Sequence, residues 1–271
     1  MSKGLFDLSG KVALVTGGNS GIGLGFARGI AKQGGDVVIW GRSEEKNAAA
    51  VAELSALGVR CGARSVDVSA QEDVVAGFES LMSEYGRIDT VIANAGMPPN
   101  TRSILTTTRE DYLALLDTNM HGAFYTLQEG ARLMVARAEA GEPGGSLIFC
   151  GSLSIFQGVP GINPYAAAKG GISAVVRCMA AELGQYGIRA NTVAPGYVKS
   201  GFMGGSPDGQ IEPEEAWSDI DRHFAGKAAI QRPGFPQDFE GVAAYLASDA
   251  ASWHSGDTIV IDGAALINSG R

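Results

Sequence analysis

The sequence predicts an α/β protein built on one parallel β-sheet with helices on both faces. Short apolar segments rich in β-branched residues alternate with helical patterns along nearly the whole chain. A glycine-rich loop separates the first apolar segment from the first helical pattern. Regular β-α alternation of this kind favours parallel strands joined by right-handed crossover helices.

The first unit contains the most informative loop. Residues 11–16 read Lys-Val-Ala-Leu-Val-Thr, which is typical of a buried parallel strand, and residues 22–33 are predicted to form a helix. Between them lies Gly17-Gly18-Asn19-Ser20-Gly21-Ile22-Gly23. Glycine lets a backbone approach a phosphate closely, and the first N–H groups of a helix attract negative charge. Strand, glycine loop and helix together predict dinucleotide binding, although glycine is common in this chain (39 of 271 residues).

The alternation then continues to near the C-terminus. The further predicted strands are residues 36–40, 59–66, 88–93, 146–150, 188–194 and 258–262. The further predicted helices are residues 43–57, 70–85, 109–137, a helix that carries Tyr165 and ends near Gln185, and residues 237–247. The helix at residues 43–57 begins with a capping serine and two glutamates, as the positive end of a helix dipole favours.

Size and composition indicate a single domain covering residues 1–271. The chain is 45% hydrophobic, which is enough for one substantial core, and it contains no linker-like segment. Acidic residues exceed basic ones by 29 to 21, which disfavours nucleic acid or an anionic membrane as a partner. No apolar run reaches membrane-spanning length, and the first strand begins too early for a signal peptide. We therefore expect a soluble, cytoplasmic protein that binds a small molecule.

Neither a disulfide framework nor a metal site is expected. The cysteines and histidines are scattered and follow no metal-ligand spacing: Cys61, Cys150, Cys178, His121, His223 and His254.

Tyr165 and Lys169 are the best candidates for chemistry. They lie four residues apart among good helix formers, so both side chains project from one helix face. A tyrosine hydroxyl has a pKa of about 10, and bringing it near neutral pH requires about 4 kcal/mol. An ammonium at roughly 4 Å in an effective dielectric of about 20 supplies that amount. The pair is adequate for proton transfer, but the same spacing alone is also typical of an ordinary amphipathic helix.

Further signals follow three of the predicted strands. Asn94-Ala95-Gly96 follows the fourth strand, Gly151-Ser152 the fifth, and Pro195-Gly196 the sixth. Each alone indicates only a turn. In open parallel sheets, however, the ligand crevice lies beyond the carboxyl ends of the strands, so their joint placement points to one ligand site.

In their order and spacing, five motifs resemble those of the short-chain dehydrogenase/reductase family. They are Thr16-Gly17-x-x-x-Gly21-Ile22-Gly23, Asn94-Ala95-Gly96, Ser152 thirteen residues before Tyr165, Tyr165-x-x-x-Lys169, and Pro195-Gly196. The resemblance runs to Asp262-Gly263 and implies a Rossmann-type, doubly wound domain with seven parallel strands. It also implies hydride transfer between a nicotinamide dinucleotide and a ketone or secondary alcohol.

The resemblance assigns roles to individual residues. Tyr165 is implied as the general acid and base, Lys169 as the group that lowers its pKa and bonds the nicotinamide ribose, and Ser152 as the holder of the substrate oxygen. Asn119 is implied to anchor a water in the proton relay. The implied cofactor contacts near the pyrophosphate are Gly17, Asn19, Ser20, Ile22 and Gly23. The implied contacts on the adenosine side are Asp67 and Val68 at the adenine, and Asn94, Ala95 and Gly96 near the ribose. The implied contacts near the nicotinamide are Pro195, Gly196, Val198 and Ser200, together with Tyr165 and Lys169.

Two positions depart from the family pattern. Ala93 stands where an asparagine is usual, and Ser200 stands where a threonine is usual. Serine keeps the hydroxyl, so we expect nicotinamide anchoring to survive, and Asn94 keeps the second asparagine of the motif.

The end of the second strand predicts the cofactor type. A carboxylate there bonds both ribose hydroxyls and selects NAD, whereas a cation favours the 2′-phosphate of NADP. This chain has Arg42 followed by Ser43, a further phosphate donor, and no acid at the strand end. We predict NADP, with NAD as the alternative because Glu44 and Glu45 are close by.

Residues 196–232 are predicted to form a substrate-binding lid. Glycines and prolines interrupt the segment, and aromatic residues and Met203 are interspersed in it. A surface excursion that packs its aromatics on its own domain is the competing interpretation. The predicted substrate contacts are Ser152, Ser154, Gln157, Tyr165, Tyr197 and Phe202, with Met97 as a further candidate.

The sequence also gives an expectation for the assembly of the protein. Small residues on the helix of Tyr165, together with the resemblance, predict a homotetramer.

A non-catalytic redox sensor is one alternative function, but it would not need Ser152, Tyr165, Lys169 and Asn119. A sugar-nucleotide epimerase or dehydratase is another, but few residues remain after Asp262 for its usual C-terminal region.

Overall fold

The structure is a computed structural model that describes residues 4–202 and 213–268. Its strands are β1 (Val12–Thr16), β2 (Asp36–Trp40), β3 (Cys61–Arg64), β4 (Thr90–Ala93), β5 (Gly145–Cys150), β6 (Ile188–Pro195) and β7 (Thr258–Ile261). Its α-helices are α1 (Gly21–Lys32), α2 (Glu44–Ser55), α3 (Gln71–Tyr85), α4 (Arg109–Leu116), α5 (Gly122–Glu139), α6 (Asn163–Leu183), α7 (Asp219–Lys227) and α8 (Glu240–Ala247). None of the helices in the described residues has the length and apolar character needed to cross a lipid bilayer.

The strands form one seven-stranded parallel sheet in the order β3-β2-β1-β4-β5-β6-β7. Every residue of β1 and of β4 is buried, as expected for strands covered on both faces. The core on one face includes Phe78 of α3 and Leu127 of α5, and the core on the other includes Phe26 of α1 and Leu246 of α8. The predicted doubly wound fold is therefore confirmed.

The strand order reverses between β1 and β4, because the chain moves outward from β1 to β3 and then returns to the other side. Such a reversal separates the loops that follow the two strands and opens a crevice at their carboxyl ends. The glycine-rich loop after β1 and Asn94 after β4 flank this crevice.

The structure corrects several predicted elements. The predicted helix at residues 109–137 is interrupted by a π-helical turn, Asp117–His121, which divides it into α4 and α5. The predicted strand at residues 59–66 pairs only over Cys61–Arg64, because β3 is a partly exposed edge strand. The predicted helix at residues 237–247 begins with a 3₁₀ turn, Pro236–Phe239.

The segment at residues 196–232, expected to be irregular, contains helix α7. Its N-terminus is a capping box in which Ser218 and Asp221 exchange hydrogen bonds between side chain and backbone. The Ser-x-x-Asp pattern was therefore a readable helix signal within the segment. Met203 and its neighbours up to residue 212 lie outside the described residues.

Candidate active site

A cavity of about 1010 Å³ opens at the carboxyl ends of the central strands. Every residue predicted to contact the cofactor or the substrate lines this cavity, apart from Met97. The glycine loop and the end of β2 line it together with Ser152, Tyr165 and Lys169. One continuous space therefore connects the predicted dinucleotide contacts with the predicted catalytic groups.

The glycine loop is braced by side chains from β1 and β4. Asn94 Nδ2 donates to the carbonyl oxygens of Thr16 at 2.9 Å and of Gly17 at 3.3 Å. Thr16 Oγ1 accepts from the backbone N–H groups of Asn94 and Ala95, each at 3.0 Å. The Asn94 amide thus holds the loop in shape, while its contact with the adenosine ribose stays a prediction. Sequence reasoning missed Thr16 as the partner of this brace.

Gly23 is required by close packing within the loop. A Cβ built at this position would lie 2.1 Å from the Gly17 carbonyl oxygen and 2.5 Å from Asn94 Nδ2. Both distances are far below van der Waals contact, so no other residue fits without moving the loop.

The N-terminus of α1 fits an anionic group such as a pyrophosphate. Its N-cap, Ser20, makes no side-chain capping hydrogen bond, and its first turn contains no acidic residue. By contrast, α4 is capped by Thr108 and carries Glu110 and Asp111 in its first turn. The first N–H groups of a helix carry a partial positive charge and need acceptors, so the residues around α1 fit a bound phosphate.

Tyr165 and Lys169 both lie on α6, whose first turn begins at Asn163. Lys169 Nζ lies 5.6 Å from the centre of the Tyr165 ring and donates to the Cys150 carbonyl at 2.7 Å. The Lys169 residue is only 3% exposed. Ser152, two residues after the end of β5, accepts a hydrogen bond from the backbone N–H of Ser154 at 3.2 Å. The carboxyl end of β5 therefore brings Ser152 and the Lys169 anchor to the same wall as Tyr165.

The electrostatics of this wall differ from the expectation. Burial raises the pKa of Tyr165 above its usual range, the neighbouring Cys150 acts in the same direction, and the Ser152 hydroxyl opposes them. Burial also lowers the pKa of Lys169. Burial dominates the pKa of Tyr165 in this structure and the Lys169 ammonium donates to the Cys150 carbonyl, so the expected lowering of that pKa by Lys169 stays a prediction.

Asn119 lies behind the cavity wall. It is fully buried on the π-helical turn, its Oδ1 accepts from Met97 N at 2.7 Å, and its Nδ2 donates to Met97 O at 2.9 Å. Asn119 does not line the cavity, whereas the preceding Thr118 does. The amide is committed to the backbone of Met97, and the role of Asn119 in a proton relay stays a prediction.

The end of β2 carries more cationic charge than predicted. Arg42 is exposed and lines the cavity with Ser43, whose hydroxyl caps α2 by accepting from Lys46 N at 3.4 Å. Lys46 also lines the cavity, and sequence reasoning missed it. The signal was its spacing, since residues three apart at a helix start lie on the same side.

The glycine loop, through Asn19, is hydrogen-bonded to α2 close to the end of β2. Asn19 Nδ2 donates to Asn47 Oδ1 at 2.7 Å, and Asn47 Nδ2 donates to the Gly41 carbonyl at 2.8 Å. Asn47 is buried on α2 and was not predicted as a site residue. It fixes the glycine loop relative to the turn that presents Arg42.

The remaining predicted substrate contacts line the same cavity as Tyr165. The Phe202 ring centre is 6.4 Å from that of Tyr165. Ser154 Oγ is buried and has no hydrogen-bond partner among the described residues. The rings of Tyr197 and Phe224 stack at 4.3 Å between centres. The substrate contacts therefore combine aromatic rings with a buried serine hydroxyl that has no partner among the described residues.

Comparisons with known proteins agree with this geometry. Residues 17–264 match the family model described as enoyl-(acyl carrier protein) reductase. The 3-oxoacyl-[acyl-carrier-protein] reductase of Chlamydia muridarum is 31% identical over 257 residues, covering 94% of this chain and 97% of that protein. A short-chain type dehydrogenase/reductase from Mycobacterium marinum has a TM-score of 0.85 at 32% identity, covering 96% of this chain and 97% of that chain.

A second solved structure carries ligands. The gluconate 5-dehydrogenase from Burkholderia cenocepacia J2315, in complex with NADP and tartrate, has a TM-score of 0.83 at 31% identity, covering 96% of this chain and 97% of that chain. These relatives support an oxidoreductase and lend no support to a redox sensor or a sugar-nucleotide epimerase. The chain belongs to the short-chain dehydrogenase/reductase family and is an NAD(P)-dependent oxidoreductase.

Proposed function

We propose that Tyr165 is the general acid and base in the interconversion of a lipophilic ketone and its secondary alcohol. A bound dinucleotide would supply or accept the hydride at the substrate carbon. In the reductive direction the substrate oxygen takes a proton from the Tyr165 hydroxyl while the Ser152 hydroxyl holds that oxygen. The observation that carries this proposal is that Tyr165, Ser152 and Lys169 line the same cavity as the glycine loop.

Lys169 contributes in two ways in this proposal. With a dinucleotide bound, its ammonium would hold the nicotinamide ribose, and its charge would favour the phenolate of Tyr165 once the ammonium reorients from the Cys150 carbonyl. The absorbance of the reduced nicotinamide ring would be followed with wild-type protein and a panel of ketones and alcohols. Turnover of at least one ketone-alcohol pair is expected. Dinucleotide binding without turnover across the panel would favour the sensor instead.

We infer that NADP is the preferred cofactor, with NAD as the alternative. The gluconate 5-dehydrogenase relative binds NADP. Arg42, Ser43 and Lys46 line one end of the cavity in this chain, where a 2′-phosphate would need donors and cations.

The substitution Arg42→Asp is expected to lower kcat/KM with NADP by about 10- to 100-fold, because a charge-assisted hydrogen bond is worth about 1.5–3 kcal/mol. Efficiency with NAD should fall far less, since NAD has no phosphate at this position. Steady-state rates with both cofactors measure the effect. The control is Arg109→Asp, which makes the same charge change at an exposed residue at the start of α4 that does not line the cavity. Equal losses with both cofactors would contradict the assignment.

The chain is proposed to act as one catalytic domain, residues 1–271, with residues 196–232 as its substrate lid. Support comes from the described part of that segment, where Phe202, Phe224 and Lys227 line the cavity.

We also place the protein in the cytoplasm. In support, Cys61, Cys150 and Cys178 form no disulfide, as expected in a reducing compartment.

A homotetramer is the proposed assembly. Helix α6 presents exposed Ala167 and Ala174, and a Cβ built at Gly170 would meet nothing within 4 Å. Such small residues allow close approach of a second helix. Light scattering after size exclusion should give about four times the chain mass of 28.0 kDa, and Ala167→Glu should lower that mass while Ala48→Glu on α2 should not. A wild-type mass equal to one chain would refute the proposal.

A further inference from the structure

A buried ion pair joins the segment after β6 to helix α7. Lys199 Nζ lies 3.3 Å from Asp221 Oδ2, and the two side chains are only 6% and 3% exposed. Lys199 Nζ also donates to the Ala216 carbonyl at 3.4 Å. Removing one partner of a buried pair leaves a buried charge without compensation, so this pair holds the two elements together.

The Asp221 carboxylate has further partners on both elements. Its Oδ1 accepts from the Tyr197 hydroxyl at 2.8 Å. Its Oδ2 accepts from Ser218 N at 2.8 Å and Ser218 Oγ at 2.7 Å. Burial raises the pKa of Asp221, but hydrogen bonds from Ser218, Tyr197 and Lys199 outweigh burial and leave the pKa below its usual range. Asp221 is therefore a charged acceptor to which the Tyr197 hydroxyl donates.

The Tyr197 ring forms a wall of the cavity with Phe224. The two rings are nearly parallel, at 7°, with centres 4.3 Å apart, and both residues line the cavity. Phe224 follows Asp221 by three residues, so both lie on the same side of α7. The carboxylate thus holds the Tyr197 ring by its hydroxyl while the same helix supplies the ring on which it stacks.

The backbone of this segment is anchored separately from the carboxylate. Tyr197 O accepts from Gly234 N at 3.0 Å, and Lys199 N donates to Gly234 O at 2.9 Å. Ser200 packs on the glycine loop, since a Cβ at Gly21 would lie 2.9 Å from the Ser200 carbonyl oxygen. Loss of the Asp221 contacts would therefore release the Tyr197 side chain more than the backbone that faces the cofactor.

We propose that Asp221 is a positioning residue that fixes the Tyr197–Phe224 ring pair as an aromatic wall, which selects ketones and alcohols with a flat apolar body. Flat rings or conjugated groups gain from stacking and burial against such a wall, whereas short alkyl groups cover little of it. The inference rests on the proposed function, because it concerns the substrate half of the same cavity.

The test compares Asp221→Asn and Tyr197→Phe with the control Asp219→Asn, which makes the same chemical change at an exposed site on α7. KM and kcat would be measured for an aryl alkyl ketone and a short dialkyl ketone, and NADP affinity by fluorescence. Asp221→Asn should raise the aryl-ketone KM about tenfold, as expected for loss of a hydrogen bond to a charged group. Tyr197→Phe should act in the same direction. In Asp221→Asn and Tyr197→Phe the aryl-ketone KM should rise by more than the dialkyl-ketone KM, and by more than any loss of NADP affinity. Every value for Asp219→Asn should change less than about twofold.

If Asp221→Asn weakened NADP binding by the same factor by which it raised the aryl-ketone KM, the role of Asp221 would be merely structural and the proposal would be overturned. An unchanged aryl-ketone KM in both variants would overturn it as well. If wild type turned over no ketone, the proposed function would fail first. Calorimetry would then measure binding of the aryl ketone to the NADP-loaded protein, as a separate test of the aromatic wall. Weaker binding by Asp221→Asn than by Asp219→Asn would support the proposed wall, and equal binding by the two variants would refute it.

Discussion

Tyr165→Phe is expected to lower turnover by about 10²- to 10⁴-fold and to change dinucleotide affinity far less. The substitution removes only the hydroxyl that donates to the substrate oxygen, and a positioned acid or base typically contributes about 10²- to 10⁴-fold to the rate. The aromatic ring remains, so its packing near Phe202 and against the α4 residues Leu115 and Leu116 should persist. Single-turnover rates and NADP binding by fluorescence would measure the two effects separately.

The matched control for this variant is Tyr112→Phe. Tyr112 lies on α4 and is 40% exposed, so it loses the same hydroxyl away from the cavity. Wild-type rates are expected for the control. Turnover that survived Tyr165→Phe at the wild-type rate would remove Tyr165 from the proposed mechanism.

The second large effect is expected from Gly23→Ala. The new methyl group would lie 2.1 Å from the Gly17 carbonyl oxygen and 2.5 Å from Asn94 Nδ2, so the glycine loop must move. Movement of the loop displaces the first N–H groups of α1 from a bound pyrophosphate and breaks the Asn94 brace. Loss of one hydrogen bond to a charged group costs about 1.5–3 kcal/mol, so we expect dinucleotide affinity to fall about 10- to 100-fold. Calorimetric titration with NADP would measure it, alongside the thermal midpoint as a check on folding.

Gly241→Ala is the control for the glycine effect. Gly241 is exposed on α8, and a Cβ built there meets nothing within 4 Å. Alanine is the better helix former, so this variant should be more stable by about 0.5–1 kcal/mol and should bind dinucleotide normally. Wild-type affinity in Gly23→Ala would show that the loop does not hold the cofactor as proposed.

Local patterns in the sequence were sufficient for the fold class. The residues of β1 and β4 are mostly apolar and do not alternate with polar ones, because both faces of these strands are buried. Their composition therefore predicts that helices cover the sheet on both sides. The glycine loop is equally local, since the close approach of Gly23 to Gly17 lies within a few residues of chain. The spacing of Tyr165 and Lys169 likewise determined that both lie on the same side of α6.

The tertiary structure decided which partners these side chains meet. The π-helical turn directs the Asn119 amide to the backbone of Met97, and burial makes the Cys150 carbonyl the partner of Lys169. The Tyr197–Asp221 hydrogen bond joins residues 24 positions apart. The sequence by itself determined the parallel sheet, its glycine loop and the family, because periodic burial and turn geometry are local properties. Only the packed chain determined the Asn119, Lys169 and Asp221 contacts, because a polar group takes the nearest donor or acceptor that the folded neighbours present to it.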